Sequence, residues 1–174
     1  MMKINKTYLL FYAVVILVQI LLLNNLTIST LIAPMAYISC VIMMPLSFSP
    51  MRLLIYGLLL ALLMDLTMGV VGLNVIATLP IAFFRRPILH FVADYSDFDN
   101  EGGVPTPKRL GSWRFHRYVV VTTVLHSLIF FCFELLSFNH FWFSIGRIVF
   151  STLATLAVIY VLIAIFTPRL TAAK

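Results

Sequence analysis

Charge is what this chain has least of. Its 174 residues include only six Asp or Glu and twelve Lys or Arg, ten per cent together. A soluble domain carries about a quarter charged residues to cover its surface, so a soluble globular fold is excluded. Cysteine is also scarce. Cys40 and Cys132 both lie in apolar stretches, where neither a disulfide framework nor a reactive thiolate is expected. No segment matches the phosphate-cradling pattern G-x-x-x-x-G-K-[ST]. No His pair stands near an acid at metal-ligand spacing, and no Gly-flanked Ser lies in an apolar run. Neither an enzyme nor a metal or other cofactor is therefore expected. The basic pI, about 9.6, does not signal nucleic acid, because the basic residues follow a membrane pattern.

What the chain has is apolarity: 62% hydrophobic residues and a mean hydropathy of +1.06. Runs long enough to cross ~30 Å of hydrocarbon recur from end to end. The reading is one all-α polytopic membrane domain, residues 1–174, with six transmembrane helices. The spans are expected at about Tyr8–Leu23, Leu31–Leu46, Met51–Met68, Leu73–Phe84 or longer, Tyr118–Ser137 and Phe143–Phe166. The first lacks a small-residue cleavage site and runs into Asn24-Asn25, unlike a cleaved signal peptide. The fourth is short and contains Pro80, so a re-entrant hairpin is the alternative.

Charge orients these spans. Lys3, Lys6, Arg52, the six basic residues of the loop Arg85–Arg117, Arg169 and Lys174 all fall on one side of a six-span chain. The positive-inside rule makes that side cytoplasmic, with both termini inside, and it favours a spanning fourth segment. The loop 85–117 also holds Asp94, Asp97, Asp99 and Glu101, then a Gly/Pro-rich stretch, 102–107, that reads as a flexible linker.

Asp65 is the most informative residue. A carboxylate inside an apolar span is costly and marks function or a packed polar contact. Gly57, Ala61, Asp65 and Gly69 recur every fourth residue, a small-residue face against which a second helix can pack closely. Gly72 and Asn74 follow at once. By helical rise, Asp65, Glu134 and Arg147 lie about 21, 24 and 29 Å from the cytoplasmic ends of their spans. A cluster of the three is possible on depth. It could be an ion pair that fixes packing, a partner- or ligand-contacting site, or three independent snorkelling side chains. Tyr12, Gln19, His126 and Ser151 add scattered polar groups, with His126 read as hydrogen-bonded packing ahead of a proton relay. The stretch Lys108, Arg109, Trp113, Arg114, Arg117, Tyr118 abuts the fifth span. Its expected role is anchoring on anionic membrane lipids, with docking of a cytoplasmic protein as the alternative.

The segment Gly57–Asn74, GLLLALLMDLTMGVVGLN, lies in a chain of this length and span pattern. Together they resemble MreD, the rod shape-determining membrane protein family of bacteria. Gly72 follows Gly69 by three residues where that family more often has four, and the loop 85–117 is longer and more acidic. The resemblance implies a non-enzymatic subunit of the cell-elongation machinery for peptidoglycan in the bacterial inner membrane. MreC would be its direct partner, with MreB, RodA and a penicillin-binding transpeptidase in the same assembly. It also implies a fold similar to the substrate-binding subunits of energy-coupling-factor transporters, whose cavity opens outward. Gly57, Ala61, Asp65, Gly69, Gly72, Asn74, Glu134 and Arg147 would then bind a partner or line that cavity. The competing functions are a transporter subunit for a small molecule or lipid and, more remotely, an enzyme acting on lipid-linked intermediates.

Overall fold

The computed structural model describes residues 6–25, 32–94, 103–135 and 141–172. No strand occurs among them. Five helices among the described residues are long and apolar enough to cross a membrane: Tyr8–Asn25, Pro50–Met68, Leu73–Ala93, Ser112–Glu134 and Ile145–Thr167. The protein is thus an all-helical membrane protein. The helices are α1 (Lys6–Leu17), α2 (Ile38–Ile42), α3 (Pro50–Met68), α4 (Leu73–Ala93), α5 (Pro107–Leu110), α6 (Ser112–Leu135) and α7 (Phe141–Ala172). α1 is prolonged by a wide π turn, Val18–Leu22, and a tight turn, Leu23–Asn25.

The predicted second transmembrane helix, Leu31–Leu46, is not there. Only Ile38–Ile42 is helical, and the rest of residues 32–49 is turn and irregular chain. Pro34 and Pro45 bracket the segment and remove two backbone donors. The segment is nonetheless buried from Pro34 to Leu46 and runs antiparallel to α1 through the interior. Tyr12 donates to the Met43 carbonyl at one level, and Gln19 reaches Pro34 and Tyr37 at the other. Apolarity demanded burial here, and burial did not require a long helix.

Irregular backbone inside hydrocarbon is tolerated only where protein satisfies its polar groups. At the start of the segment, Gln19 Nε2 donates to the Pro34 carbonyl at 3.1 Å and Gln19 Oε1 accepts from Tyr37 N at 3.2 Å. From α7, Ser151 Oγ accepts from Ala33 N at 3.0 Å and Thr155 Oγ1 from Met35 N at 2.9 Å. At its end, Arg85 of α4 donates to the carbonyls of Ile42, Met44 and Pro45, and Tyr118 of α6 adds a bond to Ile42. α1, α4, α6 and α7 therefore all serve the central segment.

α3 packs on α4, α4 on α6, α6 on α7 and α7 on α1, with α2 touching α1, α4 and α6. Between α1 and α3 the ring leaves an apolar groove of about 320 Å³. The fourth predicted span runs to Ala93 and is a full 21-residue helix despite Pro80 and Pro87. Nine residues assigned to the loop 85–117 are thus helical, and α5 and the start of α6 occupy its far end. The expected flexible linker is packed as well: Val104, Pro105 and Thr106 are buried, and Leu46 N donates to the Gly103 carbonyl at 2.8 Å. Asp97, Asp99 and Glu101 lie outside the described residues.

Candidate functional site

The site is built on the junction of α3 and α4. Gly69 ends α3 in the left-handed conformation, φ 67°, and Gly72 opens α4 at φ 78°. These signs of φ suit glycine because it has no Cβ to collide with the backbone. The N-terminal turn of α4 gets no side-chain cap from Gly72. Asp65, one turn back on α3, supplies it from outside: Oδ1 accepts from Asn74 N and from Asn74 Nδ2, both at 2.9 Å. A carboxylate beside the first N–H groups of a helix meets unpaired donors and the positive end of its dipole. That contact makes the burial of Asp65 tolerable.

From Asn74 the bonding continues inward. Tyr37 OH donates to Asn74 Oδ1 at 2.9 Å and stands 3.1 Å from Thr78 Oγ1 and 2.9 Å from His126 Nε2. The single phenolic proton goes to Asn74, so the His126 bond requires a proton on Nε2, donated to the Tyr37 oxygen. A directional chain results: His126 to Tyr37 to Asn74 to Asp65. Tyr37, Asn74, Thr78 and His126 are fully buried. At the two ends of the chain, Asp65 Oδ2 and His126 Nδ1 are buried and have no hydrogen-bond partner among the described residues.

The expected stripe divides. Gly57 and Ala61 are buried on the face of α3 that meets α4, and a Cβ on Gly57 would come within 3.1 Å of the Ala82 Cβ. Gly69 takes no part in that contact; it lies past the helix end, where nothing would touch its Cβ. Of the three membrane charges, Glu134 and Arg147 pair at 3.3 Å, joining α6 to α7, with Arg147 also 5.7 Å from the Phe131 ring. Asp65 makes no ion pair with them; it serves the α4 terminus instead.

The basic-aromatic stretch also splits. Lys108 and Arg109 lie on exposed positions of α5, Trp113 and Arg117 are exposed on α6, and Arg114 reaches Asp94 at 3.8 Å. Tyr118 was expected at the headgroup level but is fully buried. Its position on the inward face of α6 puts its hydroxyl on Arg85 Nε, at 3.1 Å, and on the Ile42 carbonyl.

Arg85 and Tyr37 are the residues the sequence reading passed over. Arg85 falls in the predicted loop 85–117, yet it is 1% exposed and the largest fully buried side chain among the described residues. A signal existed: a proline-bracketed apolar segment leaves carbonyls that need a donor from elsewhere in the chain. Among the described residues no group of three His, Cys, Asp or Glu could hold a metal ion. No protein-family model, curated protein or solved structure matches the chain.

Proposed function

We propose that this protein is a non-enzymatic scaffold of the MreD type in the bacterial inner membrane, a subunit of the cell-elongation complex that binds MreC. In this reading residues 32–49 complete a sixth crossing and both termini are cytoplasmic. Support for the orientation comes from charge. Arg52, Arg85, Arg114 and the Gly103 loop gather at one end, and the Gly69–Gly72 turn and Asn24 at the other.

One observation carries the proposal. The Asp65 chain ties α3 to the start of α4, while the turn between them projects Val71, 98% exposed, and the last turn of α3 presents Leu66, 81% exposed. Tyr37, Asn74 and Thr78 are bonded to one another, and Gln19 and Arg85 to the central backbone, so these groups shape the protein. The apolar knob they hold in place is what a partner would meet. A transporter subunit draws less support, because Tyr37, Asn74 and His126 contact each other directly where an outward cavity would need space.

Co-purification of tagged protein with MreC tests the reading. Val71→Glu is expected to lower MreC retention about tenfold or more with unchanged thermal stability. Asp65→Leu is expected to lower both. Full retention by Val71→Glu and by Leu66→Gln would sink it.

A further inference from the structure

We infer that the groove between α1 and α3 is a lipid site, holding one acyl chain of an anionic phospholipid with its phosphate at Arg52. Ile16 from α1 and Leu60 and Leu63 from α3 wall the groove, Met44 of the central segment lies beneath, and Tyr8 and Tyr56 stand toward one end. The lining is almost wholly apolar, and in a membrane it cannot stay empty.

Size suits the occupant. At ~30 Å³ per methylene, about the share of one water, 320 Å³ takes roughly ten methylenes, the greater part of one acyl chain.

Charge selects the headgroup. Arg52 stands at the Tyr56 end, exposed, with its guanidinium 5.0 Å from the ring of Phe48, which also lines the groove. Its Nε donates to Ser49 Oγ at 3.2 Å and its Nη2 to the Ser47 carbonyl at 3.4 Å. These bonds leave Nη1 without a hydrogen bond among the described residues. Arg52 makes no ion pair with a carboxylate among the described residues, so a phosphate would be its counter-charge. The Tyr8 and Tyr56 hydroxyls offer further donors at the depth where phenols meet headgroups. Under the orientation proposed above the lipid comes from the inner leaflet. Otherwise the inference is independent of that reading, since Arg52 and Val71 lie at opposite ends of α3.

Delipidated protein, offered phosphatidylglycerol or phosphatidylcholine and read by native mass spectrometry, provides the test. Wild type is expected to retain one phosphatidylglycerol per chain, about fivefold in preference to phosphatidylcholine. Arg52→Gln should abolish the preference while Arg52→Lys keeps it. Leu63→Trp or Leu59→Trp, each at a partly exposed position, should fill the groove and lower retention of both lipids. Equal retention of the two lipids by wild type, or a preference unchanged in Arg52→Gln, would overturn the inference. So would a Leu63→Cys disulfide between two copies that persists in lipid, because the groove would then hold protein.

Discussion

Arg85 is a cation sealed in the interior with no carboxylate paired to it among the described residues. Burial of a lone charge is costly by several kcal/mol, and the cost is met only if every donor finds an acceptor. Four successive carbonyls, residue 42 at the end of α2 and residues 43 to 45 just beyond it, have no further helical turn to bond to, and only that of Pro45 accepts from a backbone donor, Phe48 N. The flat, five-donor guanidinium covers three of them, and Tyr12 takes the fourth. The arginine and the broken segment therefore make each other tolerable. Arg85→Met is expected to lower stability by about 1–3 kcal/mol, because it orphans the buried Met44 carbonyl and leaves those of Ile42 and Pro45 with only Tyr118 and Phe48 N. Arg85→Lys should recover only part, since an ammonium is a point donor and cannot fork across three carbonyls. Thermal unfolding in detergent checks both, and a Met variant as stable as wild type would contradict the account. Asp65 follows the same logic with opposite sign: it is a buried anion placed on the first donors of α4.

At the scale of elements, the α3–α4 pair is organised by one close approach and one tight turn. Gly57 allows the approach, with Ala82 as the facing surface. Between membrane helices there is no water to expel, so packing at short range supplies the association. Gly57→Leu should force the helices apart and destabilise by about 1–3 kcal/mol, with Ala82→Gly restoring part of the loss in the double variant. Additive losses in thermal-shift measurements would show that the two positions do not share a contact. Gly57 and Ala61 were legible as a helix-facing stripe because the period of four is a property of the helix itself. Gly69 belongs to the same arithmetic but not to the same contact. Periodicity alone does not say where α3 stops, and the left-handed cap at Gly69 ends it.

For the whole molecule, the ring of five long helices around a broken central segment fixes which faces meet lipid and which ends meet water. Labelling with an impermeant thiol reagent tests the orientation in cells whose protein lacks Cys132. A cysteine at Val71 is expected to react from outside only, and one at Lys108 only after the membrane is opened. Reaction of both from the same side would refute the topology, while native Cys40, fully buried, should stay silent throughout.

Composition was enough to place this chain in a membrane, because so few charged residues cannot cover a soluble surface. Apolar run length was enough for five of the six predicted crossings, because a lipid-facing backbone must satisfy its own hydrogen bonds and therefore coils. The same inference failed for residues 32–49. A segment enclosed by protein can borrow donors and acceptors from Gln19, Arg85, Tyr118, Ser151 and Thr155, and no local pattern reports a debt settled by residues up to 120 positions away. Which acids and bases pair was likewise settled in three dimensions. Depth along the helices put Asp65, Glu134 and Arg147 at one level, but rotation about each helix axis, set by packing, sent two of them together and the third to the end of α4.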